Sequence, residues 1–288
     1  VSRSPTDLRT ALARTLRRVS RRAPQRTVCL QAGGVLSWDI ARRGGGESPA
    51  TARFDDFDAW CAANEGCDAR LFVSGHLLHS LLIDPALTLV DEEAVRAYAG
   101  QQFAHYHGAP ARQWPLAVWA DGPQAGACAL HALDLDALRA SAARHGVRLR
   151  SVAPLWSAGL GSLTACVPAF ADAGPRALAL VEGTLVTWLV ADARRVLALQ
   201  QRFLDAPQVE ALAALLGRLA AECGLMADLP VVVGWGLHEA EPRTESSTES
   251  VTESATELTS KLRAHVIGSL AGSGPAANWV LDTMRSDP

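Results

Sequence analysis

Short apolar runs separated by glycine, proline and aspartate recur along the chain, and their periodicity predicts alternating strands and helices. TVCLQAGGVLSWDIAR (27–42) reads as a strand hairpin turning at Gly33-Gly34, since a glycine pair tolerates the positive φ angles of a two-residue turn. Residues 42–51 read as a loop. In 54–64, Phe54, Phe57, Trp60 and Cys61 share one helical face, and Gly66 follows its end. Alternation at 71–74, a break at Gly75 and an apolar return over 78–83 predict a second strand pair. Asp91 is placed to cap a helix whose first turn holds Glu92 and Glu93. The apolar stripe of that helix is Val95, Tyr98, Ala99, Phe103 and Tyr106. Strands over 115–120 and 126–130 flank a turn at Asp121-Gly122-Pro123. Asp134 caps the next helix, which turns Leu135, Leu138 and Ala142 inward and stops at Gly146. A half-buried strand over 147–152 and a small-residue helix over 155–167, closed by Pro168, complete this half.

The second half repeats the theme. From 176 onward three strands follow one another, turning at Glu182-Gly183 and at 191–193. A helix is predicted from a cap at Asp205 to Gly224, with Val209, Leu212, Leu215, Leu216, Leu219 and Cys223 as its stripe. The buried run over 228–236 ends on Gly234 and Gly236. The fold class is α/β, with mixed sheets covered by helices. Beyond 240 the unit T-E-S-x recurs with a period of four and no apolar face, the composition of a solvated linker. Two apolar clusters follow, Leu262 to Leu270 and Trp279 to Met284, compatible with docking segments or with a disordered end. The expected organisation is a basic arm (1–26), a first lobe (27–153), a second lobe (154–240), the linker (241–260) and a tail (261–288).

Composition narrows the class. In 288 residues the hydrophobic share is 49% and the charged share 20%, which suits a soluble globular protein. No apolar run reaches the roughly 18–20 residues of a membrane-spanning helix, and no secretory signal is expected. Six scattered cysteines without a C-x-x-C spacing point to reduced thiols in a cytoplasmic setting. The net charge of −3 hides an asymmetry, because residues 1–26 hold eight Arg against Asp7, leaving −10 for the rest. Leu8, Leu12, Leu16 and Val19 make that arm a candidate basic amphipathic helix for a membrane face or a partner, or else a solvated leader. The acidic body lacks interleaved basic and aromatic residues, so nucleic acid is not an expected partner.

The search for chemistry returns little. His76 and His79 stand three apart across a strand turn and face opposite ways. His105 and His107 have a poor offset for joint ligation, and no metal site is expected. Asp55, Asp56 and Asp58 sit at a helix start, where the macrodipole alone favours acids. G-x-S-x-G, the P-loop and a strand-borne G-x-G-x-x-G are absent, and Gly44-Gly45-Gly46 reads as loop. No catalytic residue is assigned. Three places remain: the turn at Gly33 and Gly34, the turn at Glu182, Gly183 and Thr184, and the strand end at Gly234 and Gly236. Two hairpin turns can present backbone N–H groups to phosphates, and a glycine-rich strand end admits a flat base.

The order of elements resembles the cytoplasmic domains of PilM and GspL, actin-like proteins of type IV pilus and type II secretion machines. ARLFVSGHLLHSLLIDPALTLVDEEAVRAYAGQQFAHY (69–106) is similar to that family's strand pair, acid-Pro turn and amphipathic helix. ALHALDLDALRASAARHGVRLRSVAP (129–154) resembles its strand, Asp, helix, Gly, strand, Pro unit. The resemblance implies a two-lobed actin-like ATPase (ribonuclease H-like) fold in degenerate form, with a flexible C-terminal tail. It implies Gly33, Gly34, Glu182, Gly183, Thr184, Gly234 and Gly236 as nucleotide-facing positions, with ATP and magnesium as the ligand. Those turns normally carry Asp before Gly and hydroxyl residues after it. Here Ala32 and Glu182 precede the glycines and only Thr184 keeps a hydroxyl, so hydrolysis and a resident cofactor are not expected. The implied role is a non-catalytic scaffold, peripheral to the inner membrane on its cytoplasmic face. It would bind a membrane protein's cytoplasmic peptide and a secretion or pilus ATPase. The alternative is an active ATPase or phosphotransferase with a divergent site.

Overall fold

The computed structural model describes residues 24–38, 51–89, 91–119, 124–158, 175–192, 195–225, 230–237 and 261–267. The basic arm up to residue 23, the T-E-S-x linker, the C-terminal part of the 155–167 helix and residues 268–288 lie outside them.

Strands β1 (Gln25–Gln31) and β2 (Gly34–Trp38) form the predicted hairpin, but its turn is Ala32-Gly33, because Gly34 pairs with Gln31 as the first residue of β2. β3 (Thr51–Phe54) pairs antiparallel with β2. Phe54 therefore belongs to a strand and not to the following helix, because pairing with Val35 outweighs its fit to the helical stripe. Helix α1 (Phe57–Ala63) begins only after Asp56, whose carboxylate accepts from the Ala59 N–H. It buries Phe57, Trp60 and Cys61. β4 (Asp68–Val73) then runs parallel to β1, and β8 (Arg148–Pro154) parallel to β4. The first sheet has the order β3-β2-β1-β4-β8.

The strand pair expected across Gly75 does not form. After β4 the chain makes one 3-10 turn, Gly75–Leu77, and enters a different sheet as β5 (Leu78–Leu82). β5 pairs with β7 (Gly126–Leu130), which pairs with β6 (Leu116–Trp119). β4 is unavailable to β5 because parallel neighbours hold both of its edges. Helix α2 (Glu92–His107), capped by Asp91, covers the inserted sheet through Ala99 and Phe103 on Ala127 and Ala129. Tyr106, expected in its stripe, is exposed. Helix α3 (Leu135–Arg144) follows, with the Asp134 carboxylate accepting from the N–H groups of Asp136 and Ala137.

The second lobe repeats the first. β9 (Arg176–Glu182), β10 (Leu185–Ala191) and β11 (Val196–Phe203) form an antiparallel meander, and β12 (Val231–Trp235) lies parallel to β9. Helix α4 (Val209–Glu222) precedes β12 and packs on Val181, Trp188 and Val232. Asp205 is not its cap. Pro207 disfavours helical geometry at Ala206, so the helix starts after Gln208 and Asp205 stays exposed. The fifth strand, β13 (His265–Ile267), arrives from beyond the linker and pairs parallel with β12, with Leu262 and Ala264 buried beside it. The order β11-β10-β9-β12-β13 matches that of the first sheet. One apolar cluster joins the lobes, taking in Val28, Leu71 and Val73 with Leu178, Leu180 and Val233.

Candidate functional site

The segment that leaves β4 is where three bodies meet. Ser74 to Ser80 connects the first sheet to the inserted one, and side chains of the second lobe grip its backbone. Glu182, at the end of β9, is only 2% exposed. Its Oε2 accepts from the Gly75 N–H at 3.0 Å, and His76 Nε2 bonds the Glu182 carbonyl oxygen at 2.8 Å. Burial pushes the Glu182 carboxyl above its ordinary range, against the opposing pull of Ser74, the Gly75 N–H and His76. Its second oxygen, Oε1, has no hydrogen-bond partner among the described residues. Gln201 on β11 donates through Nε2 to the carbonyls of Gly75 (3.0 Å) and Leu78 (3.2 Å). Its Oε1 accepts from the Ser80 N–H at 3.2 Å. β5 is an outer strand of its sheet, so Gln201 satisfies edge groups that no neighbouring strand reaches.

Five of the seven residues suggested for a nucleotide lie at this joint: Glu182, Gly183, Thr184, Gly234 and Gly236. Gly183 and Thr184 form the β9–β10 turn after Glu182. At Gly234, φ is 155° and a Cβ would lie 2.0 Å from the Val181 carbonyl oxygen, so the close approach of β12 to β9 requires glycine there. A Cβ on Gly236 would lie 3.0 Å from Gly183 Cα. Glu182 thus faces the first lobe, Gly234 packs on Val181 of β9 and Gly236 on Gly183, and Thr184 accepts from the Leu204 N–H through its carbonyl. Gly33 and Gly34 stand apart from them. The Gly33 carbonyl accepts from Arg53, and Gly34 abuts the Phe54 carbonyl. Gly34 borders a cavity of about 440 Å³ shared with Asp55, Asp56 and Asp58 of the α1 start and with Ser141 and Arg144 of α3. In it Asp58 accepts from Ser141 and from Arg144 (2.7 Å), and these bonds hold its carboxyl at about 2. The lining of this cavity includes neither Glu182 nor Gly183.

A second opening lies on the other side of the joint. A cavity of about 400 Å³ runs between Leu149–Pro154 of β8 and Pro115–Ala117 at β6, floored by Val73, Leu78 and Cys128. Arg139 and Arg150 are the charged residues of its lining. Arg150 and Arg148 are both held by Asp68, at 2.8 and 2.6 Å. β8 is the outer strand of the first sheet, so among the described residues no strand pairs with its far side. Pro115, Leu130, Leu135 and Arg139 also line a neighbouring cavity of about 620 Å³, whose walls include Trp114, His131, Asp134 and Asp136. Beneath the groove, Trp156 Nε1 donates to Ser80 Oγ at 3.1 Å, and Ser80 contacts Cys128 Sγ at 3.4 Å. Burial pushes the Cys128 thiol up to about 11, so it is inert.

Sequence spacing did not find the histidine cluster. His76 and His79 do diverge, His76 toward Glu182 and His79 into the inserted lobe. There His79 stacks between His107 of α2 and His131 just past β7, with ring centroids 4.0 and 4.3 Å away. The rings meet face to face, and no group of three or more metal-ligating side chains among the described residues is arranged to hold an ion. The five described cysteines are all free. No described helix is long and apolar enough to cross a membrane.

Neither a family model nor a curated protein sequence matches the chain. Solved structures do. A Bacteroides thetaiotaomicron protein with an actin-like ATPase fold and unknown function aligns at a TM-score of 0.55 and 10% identity, covering 94% of this chain and 98% of that one. A chain of the PilM-PilN type IV pilus biogenesis complex aligns at 0.53 and 14%, covering 93% and 100%. The cytoplasmic domain of EpsL, an inner-membrane component of the type II secretion system of Vibrio cholerae, aligns at 0.46 and 12%, covering 85% and 97%. With its doubled five-stranded sheet and inserted lobe, the chain has the actin-like fold, which it shares with the Bacteroides protein and with the chain of the PilM-PilN complex.

Proposed function

We propose that the chain is a non-catalytic scaffold of an inner-membrane secretion or type IV pilus machine, acting at the cytoplasmic face. It holds an extended segment of a membrane partner in the groove between β8 and β6. The observation that carries this reading is the outer edge of β8, which no strand among the described residues pairs and which forms one wall of an apolar groove of about 400 Å³. An extended peptide gains main-chain hydrogen bonds from such an edge, and the apolar floor receives alternate side chains. The PilM-PilN complex, an assembly of this fold with a partner, supports the same reading.

The turns support a scaffold rather than an ATPase. A nucleotide bridging both hairpins needs their N–H groups to face one opening. Gly34 borders a cavity with the α1 acids whose lining includes neither Glu182 nor Gly183, and Glu182 commits Oε2 to the Gly75 N–H. These residues do not fit a magnesium triphosphate, so no turnover is assigned. A secretion or pilus ATPase remains a candidate second partner, and the Arg-rich arm a candidate contact with anionic lipid.

A photo-crosslinking residue at Ser151 tests the docking. The expected product links β8 to a cytoplasmic segment of a single-span inner-membrane protein. A synthetic peptide of the mapped segment should bind the wild type and lose at least tenfold in affinity for Ala153→Arg, which fills the groove. No crosslinked membrane segment, or equal binding by Ala153→Arg, refutes the reading.

A further inference from the structure

We propose that the His107–His79–His131 stack is an acid-sensitive joint, holding the wall of the docking groove in place while its rings are neutral and loosening it when they charge. The three rings come from different elements: His79 from β5, His107 from the last turn of α2 and His131 from the exit of β7. Centroid distances of 4.0 and 4.3 Å, with interplanar angles of 14° and 22°, leave no room for water between the rings. Trp114 touches all three, at 5.4 Å from His107, 5.5 Å from His79 and 5.6 Å from His131. Phe103 closes the α2 side.

Neutral imidazoles stack as aromatic plates, but two charged ones this close repel in a partly dry setting. Among the described residues none of the three forms an ion pair with an acid, and the nearest acid in sequence, Asp134, is engaged as the α3 cap. The groups acting on His79 are burial, His107 and His131, and together they lower it from 6.5 to about 4. His131 is lowered by burial and by His107, while a bond to the His76 backbone pulls the other way.

The consequence reaches the groove because Trp114 and His131 line the neighbouring cavity, which shares Pro115, Leu130, Leu135 and Arg139 with it. Charge on the central ring together with an outer one sets stacked neighbours against each other and releases the Trp114 wall. The joint uses the docking reading only for what the groove holds. Its titration is read on the protein alone, so either can fail without the other.

The test is a histidine C–H NMR titration of the full chain between pH 8 and 4, assigned by His79→Phe, His107→Gln and His131→Gln. His79 and His131 should titrate below 6.5, and His107→Gln should raise the His79 midpoint by about one unit, a tenfold change in its proton affinity. Hydrogen exchange, corrected for intrinsic rate, should show residues 108–116 and 126–131 opening at least tenfold more at pH 5 than at pH 7.5. His79→Phe should abolish most of that difference. Should His79→Phe fail to fold, the exposed His107→Gln carries the comparison. Rings that titrate independently near 6.5, or acid opening that persists unchanged in these variants, would overturn the proposal.

Discussion

Gln201 offers the sharpest test of how the lobes are held. Gln201→Ala removes three hydrogen bonds between β11 and the segment leaving β4, at 3.0, 3.2 and 3.2 Å. It strands the Gly75 and Leu78 carbonyls and the Ser80 N–H, on a strand whose other edge is already paired with β7. Each neutral bond contributes about 0.5–1.5 kcal/mol net, and each polar group left buried costs more. Water can reach part of this half-buried site, so the expected loss is about 2–4 kcal/mol. Urea denaturation measures that loss, and hydrogen exchange locates it. The Ser80 amide should exchange at least tenfold faster while amides in the centre of β9 keep their protection. Gln201→Glu keeps the shape but aims a carboxylate at two carbonyl oxygens, so it should destabilise more than alanine does. A loss under about 0.5 kcal/mol with unchanged Ser80 exchange would show that apolar contact alone joins the lobes.

Three further outcomes are expected. The fold raises the Glu182 pKa above the ordinary 4.5, so it favours the neutral acid. The stability this contributes is complete below about 4.5 and is lost as pH rises through the folded value. Glu182→Gln should therefore gain on the wild type between pH 4.5 and 8, and a difference in denaturation midpoint that stays constant with pH would contradict this. Gly234→Ala, whose Cβ would sit 2.0 Å from the Val181 carbonyl oxygen at a φ of 155°, should cost more than about 3 kcal/mol. A melting temperature within a degree or two of the wild type would show that β12 can move away from β9. Trp60, fully buried and stacked on Phe57 at 5.5 Å, should cost about 3–5 kcal/mol on change to alanine. Calorimetry reads that loss directly.

The joint also explains an oddity of composition. Gly75 needs no positive φ, yet a Cβ there would lie 2.8 Å from Leu185 Cδ2 and 3.0 Å from Glu182 Oε2. Its small size lets the second lobe close on the first. The same grip engages Glu182 Oε2 with the Gly75 N–H.

What the chain could settle locally was legible in its sequence. Asp91 and Asp134 cap their helices, and both hairpins form, with their turns at Ala32-Gly33 and Gly183-Thr184, one place from the expected pairs, because each depends on groups a few residues apart. Strand partners were not legible. Apolar alternation marks 71–73 and 78–82 equally well as strands, but only the parallel neighbours β1 and β8, some 40 and 80 residues away along the chain, decide that they belong to different sheets. β13 crosses the linker to reach β12, and Thr51–Phe54 becomes a strand only because β2 offers an edge. The groove and the histidine stack lie further still from local rules, since each is assembled from elements separated in sequence. Short-range hydrogen bonds and periodicity act before the chain has folded, whereas sheet order and ring contacts depend on which distant surfaces bury each other best.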